Sequence, residues 1–281
     1  LNNLPYKYSK RRVCVSEGEA KNLVQVETQT AKTEAGVKSR EVEEKIINFI
    51  LWLRKEGYKE NTIRNWTYSI ERLVRLGTDI IDPEDVKAVI AKQGWPDNYK
   101  KVYITAYNAF LRTLKKEWKP PKCNYTQKLP FIPTEEELDA LIAACGKKLA
   151  TFLRTLKETG ARAGEAIRVE WIDIDNRNNT ITLNQPEKGG NPRIIKVSSK
   201  LIAMLNDLPR TEQRVFGSTL LDYVRRNFTA QRKKIAQKLK NPRLMKIHFH
   251  TFRHWKATME YHKTKDILYV KQLLGHKNIN N

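Results

Sequence analysis

The sequence predicts a mostly α-helical protein of two domains, with a small antiparallel β-sheet in the second domain. Apolar residues recur at helical spacing through the first part of the chain, and a proline-rich segment follows them. Short alternating apolar runs, which are typical of strands, occur only after that segment. A length of 281 residues also exceeds the usual size of one domain, which favours two.

Positive charge dominates the composition. The chain has 53 Lys and Arg against 31 Asp and Glu, a net charge of +22 and a pI near 9.8. Such an excess attracts polyanions, and nucleic acid is the leading candidate partner. No run of about 18 apolar residues is present, so we expect no membrane partner. The three scattered cysteines, without a C-x-x-C pair, indicate a reducing cytoplasm and argue against disulfides and a structural zinc site.

The first part of the chain divides into an arm and a helical domain. Residues 1–38 are polar and basic, and we expect a flexible arm that either stays disordered or lies along DNA phosphates. Four helices are expected over 39–118, the second with Asn61 as its N-cap and the third started by Asp82-Pro83-Glu84. Their predicted buried faces comprise Val42, Ile46, Phe49, Ile50 and Leu53, then Ile63, Trp66, Ile70 and Leu73, then Val102, Ala106, Phe110 and Leu114.

Basic side chains cover the exposed faces of these helices. Each one alone is explained by ordinary solvated charge, but as a group they suit contacts with DNA phosphates. The residues expected to make such contacts are Arg64, Lys100, Lys101, Arg112 and Lys115, together with Arg193 in the second domain.

Residues 119–133 are rich in proline and lack a clean period, so they form the predicted linker. Thr134-Glu135-Glu136-Glu137 is a capping box that opens the second domain, 134–281, with a helix. After two helices we expect three short strands and then helices to the end. The predicted strands cover 171–175, 181–183 and 193–197.

Two arginines and a lysine in this domain suit phosphodiester chemistry. Cleavage without a metal needs cations on the non-bridging oxygens and a proton for the leaving oxygen, and guanidinium groups match phosphate geometry. Arg162 follows Gly160, which can end one helix, while Glu165 one turn further on can orient the guanidinium or cap the next helix. Lys188 lies beside two glycines in a turn between strand-like segments, although such a lysine alone is usually solvated.

Two histidines and the second arginine complete the set of residues that suit phosphodiester chemistry. In His-Thr-Phe-Arg-His, a helix would place His250 and Arg253 one turn apart, where both can meet one phosphate. His276 follows a glycine that stops an apolar helix, and it could also serve only as a C-cap. Four of the five histidines fall within 248–262, but their spacing fits no zinc signature, so we predict no metal.

In this order the five residues resemble the catalytic set of the tyrosine recombinases, the phage-integrase and Xer-like family. The resemblance covers about residues 40–281. It implies a helical core-binding domain that clamps DNA and an α+β catalytic domain. It also implies that Lys188 protonates the 5′ leaving group, that His250 takes part in proton transfer, and that Arg162, Arg253 and His276 bind the scissile phosphate. Glu165 would support them.

The same resemblance implies partners and a place in the cell. The expected partner is a double-stranded DNA recombination site, on which four copies assemble in the synapse, with a monomer as the free form. Neither a metal nor another cofactor is implied. The expected setting is the cytoplasm, at the nucleoid, of a prokaryotic host, with the gene carried by the host or by its virus or plasmid.

The nucleophile is the part of the pattern that we do not find. The resemblance implies a tyrosine about nine residues beyond His276, roughly 2.5 helical turns, and the sequence stops at Asn281. Tyr261 stands in the wrong place, and the spacing of Tyr269 predicts a core residue. We therefore expect an incomplete catalytic domain that binds DNA without cutting it. The alternatives are a non-catalytic DNA-binding regulator derived from a recombinase and, on charge alone, a general RNA or nucleoid binder.

Overall fold

The computed structural model describes residues 40–124 and 129–277, so the predicted arm over 1–38 lies outside the described residues. The chain divides into two compact units, Leu1–Gln127 and Lys128–Asn281. This division falls inside the segment 119–133, whose described residues form neither helix nor strand.

The described part of the first unit consists of four helices around one apolar core. The helices are α1 (40–55), α2 (Glu60–Arg75), α3 (Pro83–Lys92) and α4 (Asp97–Thr113). Phe49, Leu53, Ile70 and Leu73 are fully buried, as their helical spacing predicts. Asp82 caps α3, because its carboxylate accepts a hydrogen bond from the backbone N of Glu84 at 2.9 Å.

Two predictions for this unit are wrong. Lys59, and not Asn61, occupies the N-cap position of α2, and no side chain caps that end. Val102 is 43% exposed. The buried face of α4 is instead centred on Tyr103 and Tyr107, because these rings offer more apolar area and Tyr107 donates a hydrogen bond to Ile80 O at 3.1 Å.

The second unit combines helices with a three-stranded sheet. Its helices are α5 (Glu135–Ala143), α6 (Lys147–Thr159), α7 (Ala163–Ile167), α8 (Ser199–Asn206), α9 (Leu221–Lys238), α10 (Phe249–Thr264) and α11 (Ile267–Leu274). The strands β1 (Ile174–Asp175), β2 (Thr180–Leu183) and β3 (Arg193–Lys196) form an antiparallel sheet in the order β1-β2-β3. Ile174 pairs with Ile181, which in turn pairs with Ile195. The predicted fold class is confirmed.

The first predicted strand is too long. Trp171–Asp173 forms a 3-10 turn, and only Ile174–Asp175 joins the sheet. The indole of Trp171 explains the difference, since its Nε1 donates to Glu212 O at 3.1 Å and Arg210 lies 4.6 Å from its ring. These contacts are made with a distant segment, and the alternating sequence pattern does not reveal them.

Packing of α6 against α10 brings the segments of the site together. The ring of Phe249, at the start of α10, lies 5.4 Å from that of Phe152 in α6 and 5.1 Å from that of Phe228 in α9. The predicted capping box opens α5, with Thr134 and Glu137 each accepting a hydrogen bond from the other's backbone N.

Only a narrow face of helix α11 is buried against the rest of the second unit. Val270 and Leu274 are buried, whereas Tyr269 is 42% exposed, so the prediction of Tyr269 as a core residue is wrong. None of the helices in the part of the chain that the structure describes is long and apolar enough to span a membrane.

Candidate active site

A cavity of about 720 Å³ in the second unit brings together the five residues predicted to act on a phosphodiester. They come from the junction of α6 and α7, the loop between β2 and β3, helix α10, and the segment that follows α11. The residues are Arg162, Lys188, His250, Arg253 and His276. Their catalytic roles stay predictions, but their proximity is a property of the fold.

Arg162 is positioned by the turn between two helices. Gly160 ends α6 in the left-handed conformation, at φ 62°, and Arg162 then occupies the N-cap position of α7. Its Nη1 donates to Glu165 Oε1 at 2.9 Å, and its backbone N donates to Glu165 Oε2 at 3.0 Å. Glu165 therefore fixes both the backbone and the guanidinium of Arg162.

Glu165 also connects α7 to the loop between β2 and β3. Its side chain is only 1% exposed, and it accepts further hydrogen bonds from Glu187 N at 3.1 Å and Arg193 Nη2 at 2.7 Å. Burial by itself raises the pKa of this carboxyl, but the hydrogen bonds from Arg193 and the two backbone amides outweigh it and lower the pKa to about 2. Glu165 is therefore ionised at neutral pH.

The surroundings of Arg193 do not match those expected for a residue that contacts a DNA phosphate. Its side chain is 6% exposed and its guanidinium is held by Glu165, so it faces the protein rather than the surface. This placement favours a supporting role. The sequence carries one signal for this role. Arg193 is a cation at the first position of β3, shortly after the turn that carries Lys188.

Lys188 is exposed at the tip of a tight turn. Gly190 N donates to Glu187 O at 3.1 Å, and the two central residues, Lys188 and Gly189, have φ values of 53° and 68°. A left-handed conformation costs a non-glycine residue about 1–2 kcal/mol. The loop is anchored beyond the turn, because Asn191 N donates to Gly275 O at 3.1 Å. The backbone thus holds Lys188 at the cavity despite the cost.

Arg253 is the most deeply buried of the five. Arg253 is only 3% exposed. Its guanidinium donates from Nη1 to Gly160 O at 2.9 Å and from Nη2 to Leu274 O at 2.8 Å. Burial, reinforced by the nearby charge of Arg162, lowers its pKa to about 10, so the group remains cationic at neutral pH. One guanidinium therefore joins the ends of α6 and α11.

His250 projects from the first turn of α10 into the cavity. The ring of His254 packs edge to face against it, with the ring centroids 4.6 Å apart. Partial removal from water lowers the pKa of His250 to about 4, and His254, Arg253 and Arg162 contribute to the same direction. The His250 imidazole is therefore neutral at pH 7.

His276 stands immediately beyond α11. Gly275 ends that helix in the left-handed conformation, at φ 67°, and His276 N donates to Lys271 O at 3.0 Å. A Cβ atom at Gly275 would lie 2.8 Å from Arg193 Nη1 and from Asn191 O, so only glycine fits there without displacement. This close approach seats His276 beside the loop of Lys188.

Further cavity residues were not predicted. His254, Lys271 and Lys277 line it as well. The sequence signal for Lys271 is its position in the last turn of the helix that precedes Gly275-His276, where a cation is favourable. Within the described residues, no group of three or more His, Cys, Asp or Glu side chains is arranged to hold a metal ion.

The remaining predicted DNA contacts lie in the first unit. Arg64 on α2 and Lys101 and Arg112 on α4 are exposed, and Lys100 is half-buried. Lys115 is exposed just beyond α4, at φ 54°. Nothing in this placement tests whether they bind DNA.

Two curated relatives share the chain's sequence pattern. Tyrosine recombinase XerA of Saccharolobus solfataricus is 27% identical over 183 residues, which cover 64% of this chain and 60% of that protein. The ICEBs1 integrase of Bacillus subtilis is 21% identical over 258 residues, covering 83% of this chain and 63% of the integrase. The matched part thus spans less than two thirds of either relative.

Solved structures share the fold. A lambda integrase tetramer bound to a Holliday junction matches with a TM-score of 0.64 at 17% identity, over 85% of this chain and 78% of that one. XerH bound to its difH substrate matches with a TM-score of 0.60 at 22% identity, over 78% and 73% of the two chains.

A match to a protein-family model shows which family the chain belongs to. Residues 133–281, more than half of the chain, match the model of the phage integrase family. This match confirms the resemblance inferred from Arg162 to His276, and the chain belongs to the phage integrase family of tyrosine recombinases.

Proposed function

We propose that this protein binds duplex DNA at a recombination site and holds one backbone phosphate in the cavity of its second unit, for site-specific strand exchange through a 3′-phosphotyrosine. The observation that carries the proposal is the convergence of Arg162, Lys188, His250, Arg253 and His276 on one cavity. These side chains supply the positive charge and the proton-transfer groups that phosphodiester cleavage requires without a metal.

Charge stabilisation is assigned to the two arginines. A guanidinium has five N–H donors, and Arg253 uses two of them on Gly160 O and Leu274 O. The donors that remain can bind non-bridging phosphate oxygens, and the carbonyls keep the guanidinium in place. Arg162, fixed by Glu165, provides the second cation. Such preorganised cations stabilise a developing negative charge without reorganising during the reaction.

Proton transfer is assigned to Lys188 and His250. The exposed ammonium of Lys188 can reach a leaving 5′ oxygen and protonate it as the P–O bond breaks. His250 has a pKa of about 4, so at neutral pH it is unprotonated and can accept the proton of an attacking hydroxyl. His276 would hydrogen-bond a non-bridging oxygen of the same phosphate.

The nucleophile is proposed to be a tyrosine outside the described cavity wall. Among the residues that the structure describes, no tyrosine lines the cavity, and Tyr261 and Tyr269 are exposed elsewhere on the unit. The described residues would therefore bind and orient the phosphate, while covalent attachment needs a tyrosine that they do not supply. We expect four copies in the synapse, a monomer when free, and action on DNA in the cytoplasm of a prokaryotic host.

Selection from a random duplex library tests the binding part of this proposal. The 281-residue protein should enrich duplexes with an inverted repeat, and it should form no complex with them that survives denaturing electrophoresis. On the enriched duplex, Arg253→Gln should weaken the ethylation interference at one phosphate and leave it unchanged at the others. Equal affinity for RNA and all DNA sequences would refute the recombination-site proposal, and a covalent complex would refute the need for another tyrosine.

A second function is favoured by the same absence of tyrosine from the described cavity wall. A protein that occupies recombination sites without cutting them would regulate a catalytic relative. Reading the source gene beyond codon 281 separates the two. A tyrosine codon about nine residues after His276, some 2.5 helical turns further on, supports the recombinase, whereas a stop codon there supports the regulator.

A further inference from the structure

A second cavity, of about 420 Å³, adjoins the candidate active site in the second unit. The residues that line both cavities are Arg162, Lys188 and His250. The lining of the second cavity also includes Arg225 and Arg232 from α9 and His248 from the N-cap position of α10. The two cavities thus share a cationic wall, and the second has arginines of its own.

Two contacts position Arg232 in the lining of this cavity. Its Nη1 donates to Ile247 O, and its guanidinium lies 5.7 Å from the centroid of the Phe228 ring. Its Nε is buried and has no hydrogen-bond partner within 40–124 and 129–277. The guanidinium has further N–H donors on its Nη atoms, and these can bind an anion in the cavity that Arg232 lines. Burial also lowers the pKa of Arg232.

The acidic residue in this cavity does not cancel its charge. Glu187 pairs with Arg168, with 3.3 Å between Oε1 and Nη1, and the same carboxylate packs on Gly164, where a Cβ atom would lie 2.0 Å from Oε1. Arg225 is exposed and pairs with Asp222, so it is the weaker ligand candidate. Among the ion pairs within 40–124 and 129–277, none involves Arg232, whereas Arg225 and Arg243 each pair with a carboxylate.

We propose that the second cavity binds a second phosphate of the same DNA strand, adjacent to the one in the active site, with Arg232 as its main ligand. The inference rests on the proposed function and deepens it. Each nucleotide of a strand carries one phosphate, so neighbouring cavities with a shared wall suit consecutive phosphates of that strand. Arg162 and Lys188 in that wall lie between the two charges.

The second phosphate has a consequence for the chemistry. A single bound phosphate can rotate, whereas two fixed phosphates determine the direction of the sugar between them. They therefore select which bridging oxygen of the first phosphate faces Lys188. Arg232 acts in this scheme as a positioning residue, since it does not touch the reacting phosphate.

Neutral methylphosphonate linkages, placed one at a time in the preferred duplex, test the proposal without changing the protein. Arg253→Gln identifies the active-site phosphate, because neutralisation at that position should weaken binding less for the variant than for the wild-type protein. For the wild-type protein, neutralisation should weaken binding about tenfold at that position and again at the adjacent one, as expected for loss of a charge-assisted hydrogen bond. Sensitivity at the active-site phosphate alone overturns the second site and leaves the proposed function standing.

Protein variants assign the second position to Arg232. Arg232→Gln should lose sensitivity at the adjacent phosphate only, and Arg232→Lys, which keeps the charge, should retain it. Arg226→Gln, on an exposed face of α9, is the matched control and should behave as wild type. If Arg232→Gln keeps full sensitivity at both phosphates, Arg232 is not the ligand. If Arg232→Gln does not fold, the wild-type scan and Arg232→Lys decide the matter. Absence of any sensitive phosphate would refute the proposed function itself.

Discussion

The two units of the protein carry positive charge in different ways. In the first unit, Arg64, Lys101 and Arg112 project from helix surfaces into solvent. In the second, Arg253 is buried and bonded to two backbone carbonyls, and Arg162 is bonded to a buried carboxylate. Both groups of cations raise the affinity for a polyanion, but only the second group is held in a fixed direction.

This difference separates attraction from orientation. An exposed lysine or arginine attracts DNA over a distance set by salt, and it keeps its freedom to follow whichever phosphate is nearest. A buried guanidinium has lost its hydration, and the carbonyls that replace water fix its remaining donors. Such a group can address one oxygen of one phosphate, which is what catalysis needs. The following predictions test this distinction, from the largest expected effect to the smallest.

Arg253→Gln should destabilise the second unit by about 4 kcal/mol, because two charge-assisted hydrogen bonds of the buried guanidinium are lost. Native-state hydrogen exchange of the backbone amides of α10, which lie in the second unit, measures the change. Lys263→Gln, on the exposed last turn of α10, is the control and should stay within about 0.5 kcal/mol of wild type. A loss from Arg253→Gln no larger than the control's would mean that the guanidinium is not a structural bridge.

Glu165→Gln should destabilise the protein at neutral pH by on the order of 3 kcal/mol. The carboxyl has a pKa of about 2 in the folded protein against an ordinary 4.5, so its stabilising effect is present above pH 4.5 and is lost as the pH falls towards 2. Urea unfolding at several pH values should therefore show the gap between variant and wild type closing on acidification. Other carboxyls with lowered pKa, such as Glu137, affect both proteins alike.

Asp207→Asn is the control for this experiment. Asp207 pairs with Lys147 on the surface and is well exposed, so its removal should change stability little at any pH. A gap for Glu165→Gln that stays constant between pH 6 and pH 3 would contradict the lowered pKa.

His250 should titrate with a midpoint near pH 4, measured from the NMR shift of its ring carbon. Because the folded pKa lies below the ordinary 6.5, the unfolded chain binds the proton first, and stability from this residue declines as the pH falls from 6.5 towards 4. Arg162→Gln should raise the midpoint slightly, since it removes one cationic neighbour. The exposed Arg226→Gln should leave it unchanged, and a midpoint near 6.5 in the wild type would exclude the assigned environment.

Exposed cations of the first unit should have the smallest individual effects. Arg64→Ala and Lys101→Ala should each weaken binding to any duplex only a few-fold, and each lost phosphate contact should reduce the slope of log affinity against log salt by about 0.9. Lys87→Ala is the control, because that lysine is already paired with Glu84. A variant that changes sequence preference instead of the salt slope would show that the cation reads bases.

Local signals in the sequence predicted several helix ends correctly, although the predicted N-cap Asn61 was wrong. Gly160 and Gly275 both adopt the left-handed conformation that ends a helix, and Asp82 and Thr134 both cap one. In each case the conformation depends on residues within one turn along the chain, so the sequence contains the needed information.

Burial decided by distant segments was not predictable. Val102, Trp171 and Tyr269 were assigned from periodicity alone, but packing of other elements determines which side of a helix or strand is covered. Arg193 was predicted to face DNA, yet its partner Glu165 lies 28 positions earlier in the chain. For Arg232 we find no sequence signal, since its contacts come from the fold of α9 against the segment before α10.

The bridge made by Arg253 also orders events during synthesis. Its guanidinium bonds to a carbonyl 93 positions earlier and to another 21 positions later, at Leu274. While a ribosome makes the protein, the earlier partner is already available, but the later one is still inside the exit tunnel. The geometry of the candidate active site can therefore be completed only after α11 has emerged, and the site of a nascent chain is unfinished until then.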